Sequence, residues 1–228
     1  MANYYPLFLD LDKSSCLMVG GGEVAARKIR SLIEAGAEVT LVSPELAAET
    51  RELKQREEII HLQRGYSSRD IEGHDLVIAA TSSRSTNRRV YEDARENNIL
   101  VNVVDDRELS NFIVPARVNR SPLQLAVCTD GASPALSATI RKNLQEEYGS
   151  GFTRYLELLD DLRSAIKNRL PPERRRQLFL DLGGEKIHDL LKDDRYEEVL
   201  REVRDLLSEE PEIELKDLEG LEGNEEIS

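Results

Sequence analysis

The chain has 228 residues, 39% hydrophobic and 33% charged, a balance that supports a buried core under a polar surface. No apolar run approaches the roughly 18–20 residues of a membrane helix, and the first residues lack the basic-then-apolar pattern of a secretory signal, so a cytoplasmic protein is predicted. The net charge of −13 is concentrated at one end: residues 205–228 hold ten acids and one lysine, leaving 30 basic and 34 acidic groups before them, and no basic face suited to nucleic acid.

Residues 16–19 form a short apolar run that ends in three glycines, and residues 23–35 follow as a helix with Val24, Ile29, Leu32 and Ile33 mostly on one face. Gly36 ends that helix, as a residue free to adopt the left-handed conformation. A strand is predicted at 39–42, a helix at 45–55 and a strand at 59–62. The nearly all-apolar run at 75–81 has the pattern of a parallel strand buried on both faces. A helix at 87–97 and a buried strand at 100–105 complete the series, and strands alternating with helices at this spacing imply a doubly wound parallel sheet, an α/β fold.

From Phe112 the pattern changes. Runs at 112–118 and 123–128 read as two strands, and the short turn-rich link Asn119-Arg120-Ser121-Pro122 implies antiparallel pairing. Ser133 and Pro134 open a helix as N-cap and first helical residue. Beyond the linker at 149–151 the chain reads as helical over 152–169, 171–182 and 185–207, with a break near Lys192. Four regions follow: a nucleotide-binding domain at 1–112, a small α+β domain at 113–148, a helical domain at 149–208 and an acidic, disordered tail at 209–228. Cys16 and Cys128 both lie in apolar runs and are expected to be buried free thiols, which suits a reducing compartment.

The strongest motif is Gly20-Gly21-Gly22-Glu23-Val24-Ala25. In this G-x-G-x-x-A pattern the first glycine, Gly20, permits a tight strand-to-helix turn, and the second, Gly22, lets a pyrophosphate approach the backbone. The small third residue lets helix and strand pack closely, and the helix N-terminus at Glu23 and Val24 favours the anion. The loop follows a predicted strand and opens a helix, the context that gives such a motif meaning. At the end of the second strand, where an acid would meet the adenosine ribose, stand Ser43 and Pro44. Glu45 can reach back, or the backbone of 43–45 can serve. No arginine at that tip welcomes a 2′-phosphate, so NAD is expected rather than NADP. Thr81 and Ser82, at the end of a later strand, would face the cofactor.

Pro6-Leu7-Phe8, the stretch from Val19 to Lys28, Ala79-Ala80-Thr81, Asn102-Val103-Val104-Asp105, Phe112-Ile113-Val114-Pro115 and Ser133-Pro134 occur in that order. Together they resemble the precorrin-2 dehydrogenase / sirohydrochlorin ferrochelatase family, including the N-terminal module of siroheme synthase. The resemblance spans roughly residues 2–145, and without an appended methyltransferase domain it is to the stand-alone form. It implies a Rossmann domain, a small dimerisation domain, a helical C-terminal domain, a homodimer, and a tetrapyrrole, precorrin-2, bound between domains. It also implies that Asp105 is the key acidic residue.

Oxidation of precorrin-2 to sirohydrochlorin removes a hydride, which NAD+ accepts, and a proton, for which Asp105 is the candidate general base. Asn102 would hold the nicotinamide or a substrate carboxylate, while the neighbouring Asp106 is expected to be solvated. A substrate with eight carboxylates calls for cations and hydrogen-bond donors; Arg117, Arg120, Arg141 and Lys142 are candidates, with Phe112, Thr129 and Ser133 beside them. Arg174-Arg175-Arg176 reads as a solvated face. Some members of the family also insert Fe2+, yet His61, His74 and His188 are scattered and no resident metal site is expected. Three rival readings remain: an NAD-sensing module without catalysis, a chelatase alone, and an NADP reductase of a small acid.

Overall fold

In a computed structural model, residues 4–208 are described; the acidic tail predicted at 209–228 lies outside them. The chain divides into two compact units, 1–114 and 115 onward. In the first unit, β1 (Ser15–Val19), α1 (Glu23–Ile33), β2 (Glu38–Val42), α2 (Ala48–Gln55), β3 (Ile60–Leu62), β4 (Leu76–Ala79), α3 (Arg84–Glu96) and β5 (Leu100–Val103) build a five-stranded sheet in the order β3-β2-β1-β4-β5. Every pairing in it is parallel.

The all-apolar strands are explained by helices on both faces. Cys16 and Met18 of β1 and Leu76 and Ile78 of β4 pack with Ala25, Ala26, Ile29 and Leu32 of α1. The alternate residues Leu17, Val19, Val77 and Ala79 pack with Val90 and Ala94 of α3 on the other side. Each large side chain so enclosed contributes about 1.5–3 kcal/mol. Gly36, at φ +85°, terminates α1 as its position predicts.

The second unit holds β6 (Ala116–Arg120), β7 (Leu123–Val127), α4 (Pro134–Glu147), α5 (Ser150–Ile166), α6 (Pro172–Leu182), α7 (Glu185–Lys192) and α8 (Tyr196–Ser208). β6 and β7 pair antiparallel across Arg120↔Leu123, and Ser133 caps α4 by accepting a hydrogen bond from the Leu136 amide. Leu158, Leu162 and Ile166 of α5 meet Leu178 and Leu182 of α6, Ile187 of α7, and Val199 and Val203 of α8 in a core of their own. The antiparallel pair and the four helices thus share one unit, where the sequence suggests separate regions at 113–148 and 149–208.

Three local expectations are corrected. The helix expected from residue 45 starts at Ala48, because the Ser43 hydroxyl donates to the Glu45 carbonyl at 2.6 Å and bends 43–47 into a loop. The strand expected from Phe112 starts at Ala116, after Pro115, whose ring removes the amide a ladder needs. Cys128 is exposed rather than buried; it lies one residue past β7, in a two-stranded sheet too small to enclose both of its faces.

Candidate nucleotide and catalytic site

The strand order reverses between β1 and β4, and the crevice at the carboxyl ends of those strands is where a doubly wound sheet takes its ligand. The three glycines at the tip of β1 have different reasons to be glycine. Gly20 lies at φ +108°, and a Cβ there would sit 2.5 Å from the Ala80 carbonyl oxygen. At Gly21 it would sit 2.3 Å from the Glu45 carbonyl oxygen. At Gly22 it would meet no protein atom within 4 Å, and this glycine alone of the three faces outward. Gly22 is the N-cap of α1, where no side chain caps the helix, so the first amides, at Glu23 and Val24, point toward open space. The residues therefore fit a dinucleotide: the protein encloses the first two glycines and leaves the third clear for a pyrophosphate.

The loop after β2 is strapped to the glycines. The Ala47 amide donates to the Gly21 carbonyl at 2.8 Å, and the Thr50 hydroxyl donates to the same oxygen at 2.7 Å. Thr50 is fully buried and was not legible as a site residue, since nothing in an 8-residue amphipathic helix marks one threonine as a strap. Ser43 is buried with its hydroxyl committed to Glu45, and its carbonyl meets Nε2 of His61 at 2.9 Å. Pro44 and Glu45 are exposed, leaving the Glu45 carboxylate at the surface of the tip. Arg51 reaches back from α2 to donate to the Leu46 carbonyl at 3.1 Å, placing a cation beside this loop that the linear sequence does not suggest. Thr81 stands against Gly20, its hydroxyl donating to Oδ1 of Asn87 at 2.7 Å, while Ser82 is exposed.

Two strands from β1, about 10 Å at ordinary strand spacing, β5 ends in a tight turn. The Asp106 amide donates to the Val103 carbonyl at 3.1 Å, and Asp105 in the third position has φ +63°, the geometry of a type II turn. The Asp105 side chain is exposed and has no hydrogen-bond or ion-pair partner among the described residues. Asp106, expected to be solvated, is half-buried, and its carboxylate accepts from the Leu109 amide at 3.3 Å. Capping falls to Asp106, which leaves Asp105 uncommitted. Asn102 points to the α1 side between Leu100 and Val104, and its amide nitrogen donates to the Phe112 carbonyl at 3.0 Å. Phe112 itself packs against the sheet core.

In the second unit, the Thr129 hydroxyl donates to the Ser133 carbonyl at 3.1 Å and lies 2.8 Å from the Ser137 hydroxyl, so Thr129 and Ser133 build the entry to α4. Arg117 is half-buried on β6. Arg120, at the end of β6, has its Nε enclosed without a hydrogen-bond partner, and its carbonyl accepts from the Thr153 hydroxyl at 3.2 Å. Arg141 on α4 donates to Gln145 at 2.6 Å, and Lys142 lies 3.8 Å from Glu146. Among the described residues no group of three His, Cys, Asp or Glu side chains is placed to hold a metal ion.

Comparison with known proteins fits this geometry. Residues 7–116 match the family model described as putative NAD(P)-binding, and residues 120–147 match that of the sirohaem biosynthesis protein central region. The chain is 43% identical to the siroheme synthase of Chromobacterium violaceum over 77% of its own length and 37% of that protein's. It is 42% identical to the siroheme synthase of Thioalkalivibrio sulfidiphilus over 78% and 36%. The chain thus spans a little over a third of the length of these relatives. Among solved structures, SirC, a precorrin-2 dehydrogenase, superposes with a TM-score of 0.71 at 27% identity, covering 89% of this chain and all of that one.

Proposed function

The chain belongs to the precorrin-2 dehydrogenase / sirohydrochlorin ferrochelatase family, which includes the N-terminal module of siroheme synthase, and from that premise we propose that it oxidises precorrin-2 to sirohydrochlorin with NAD+. The observation that carries this reading is the pairing, at the carboxyl ends of the strands of one sheet, of an outward-facing Gly22 at an uncapped helix start with an uncommitted carboxylate at Asp105. When bound, NAD+ supplies the two-electron acceptor. Gly22 and the amides of Glu23 and Val24 hold its pyrophosphate, Glu45 meets the ribose hydroxyls, and the Thr50 strap keeps the glycine loop in register.

Two hydrogens leave the macrocycle, one with its electron pair and one as a proton. Asp105 takes the proton. Its turn holds the carboxylate out of the sheet with no competing partner, so its oxygens are free to approach the macrocycle carbon. Thr129 and Ser133 shape the entry to α4 rather than binding through hydroxyls already engaged. The family further implies a homodimer, and Fe2+ as a substrate whose ligands are the macrocycle nitrogens.

The test is anaerobic incubation with precorrin-2 and NAD+, following NADH and macrocycle absorbance together, and then addition of Fe2+. One NADH per sirohydrochlorin is expected. Bound NAD with no NADH formed would leave a sensor or a chelatase, and loss of sirohydrochlorin on adding iron, faster than without protein, would identify metal insertion.

A further inference from the structure

The second unit carries a basic groove that the proposed dehydrogenase chemistry does not use. It is a cavity of about 670 Å³ along α5 and α6, lined by Arg163, Lys167, Arg175, Arg176, Phe179 and Leu180 among others, with no carboxylate in its wall among the described residues. In a chain with 44 acidic residues to 31 basic ones, an acid-free wall with four cations is a local inversion of charge. None of those four cations has an ion-pair partner among the described residues. They are held in place by other means. The Arg163 guanidinium lies 4.6 Å from the centre of the Phe179 ring, and Arg175 donates to the Lys167 carbonyl at 2.7 Å. The floor is apolar, with Leu180 57% exposed beside Phe179. The occupant such a groove fits is an acidic strand of chain that also carries aliphatic side chains.

The chain itself contains that strand. Between residues 209 and 228 there are nine acids and one lysine, and Ile213, Leu215, Leu218 and Leu221 are interleaved with Glu212, Glu214, Asp217, Glu219 and Glu222. This segment follows directly on α8, which packs against α6. Twenty residues extend up to about 65–70 Å, against about 25 Å for the whole of a 17-residue helix such as α5, so the segment can reach the groove. Tethering also favours it over a free polyanion, because the effective concentration of a linked segment is of millimolar order. We propose that the acidic segment 209–228 docks in the α5–α6 groove of its own chain, its carboxylates on Arg163, Lys167, Arg175 and Arg176 and its aliphatic side chains on Phe179 and Leu180. The docked segment covers an exposed apolar patch and keeps other polyanions out of the groove.

Carbodiimide coupling of the full chain tests this, because it joins an amine to a carboxylate only where the two touch. An equal mixture of ¹⁴N- and ¹⁵N-labelled chains is coupled at low ionic strength and mapped by mass spectrometry. The expected product links Lys167 to a carboxylate among residues 209–226 within one isotope label. That link is expected to be lost in Arg176→Glu, and in a second full-length variant carrying E212Q, E214Q, D217N and E219Q. The proposal is overturned if the segment couples to Lys167 no more than to Lys142, which is exposed on α4. It is equally overturned if the linked peptides carry mixed labels, which would place a second copy's segment in the groove, or if the link survives both variants.

Discussion

Asp105 sits at φ +63° in the third position of its turn, where glycine or asparagine is the usual occupant and most other side chains are disfavoured. A carboxylate kept there without a partner is poorly explained by stability, which makes the position a direct test of its role. Asp105→Asn preserves shape and suits the left-handed region, so its melting temperature is expected to be unchanged while turnover falls by about 10²–10⁴ and NAD binding persists. Wild-type turnover in that variant would remove Asp105 from the chemistry. The glycines make a second contrast. Gly22→Ala adds a methyl group where no protein atom lies, and its poorer N-capping, about 0.5–1 kcal/mol, is offset by about 0.4–1 kcal/mol of lost unfolded-state entropy. Gly21→Ala drives a methyl group to 2.3 Å from the Glu45 carbonyl, a backbone overlap expected to cost about 2 kcal/mol or more. The expected outcome is a Gly22 variant that melts normally and binds NAD weakly, beside a Gly21 variant that is destabilised outright; wild-type NAD affinity in the Gly22 variant would refute the assignment of ligand space to Gly22.

At the scale of elements, the connection from β3 to β4 is pinned by two titrating side chains. The Arg64 guanidinium grips both oxygens of Asp70, at 2.7 Å and 2.6 Å, and the Ser67 amide donates to the same carboxylate at 2.8 Å. The Arg64 hydrogen bond holds Asp70 below its ordinary pKa. A depressed carboxylate contributes stability above its unfolded value, near 3.8, that is lost as the pH falls through the lower folded value. His74, next to β4, meets the Ser15 hydroxyl at 2.8 Å through Nδ1, and burial lowers its pKa from 6.5 against the opposing pull of Asp75 and Asp70. The unfolded chain then protonates first, so stability present above pH 6.5 is lost as the pH falls through the lowered value. Melting of the wild type is expected to decline in two steps on acidification, and His74→Gln to lose the upper step alone; an unchanged upper step would assign it to another group. The elements themselves were largely legible. The apolar runs at β1 and β4 and the glycine loop announced a doubly wound sheet, because burial on both faces leaves no room for alternation. Elements were misjudged where one side chain acts on the backbone, as Ser43 does in delaying α2 to Ala48, or where a proline withholds an amide, as Pro115 does before β6. The straps of the site, Thr50 on Gly21 and Asn102 on Phe112, join residues 29 and 10 positions apart, and such pairings have no local pattern to read.

For the molecule as a whole, the two units have cores that share no residue: one is built on both faces of the parallel sheet, the other among α5 to α8. Each apolar cluster draws its members from one unit, so each has its own source of cooperativity. The residues assigned to the dinucleotide, from Gly20 to Val24 and from Ser43 to Glu45, together with Thr81, all belong to the first unit. A ligand stabilises what it binds by RT ln(1 + [L]/Kd), about 2.7 kcal/mol at a hundredfold excess over Kd. Such a gain slows local opening around the site more than opening in a unit that the ligand does not touch. Hydrogen exchange with and without saturating NAD+ is therefore expected to gain protection at the start of α1, in the loop before α2 and at the end of β4. Amides of α5 to α8 should exchange at their unliganded rates. Protection gained equally across α5 to α8 would mean that the dinucleotide is gripped by both units, and the binding residues would then have to be sought beyond the tips of the parallel sheet.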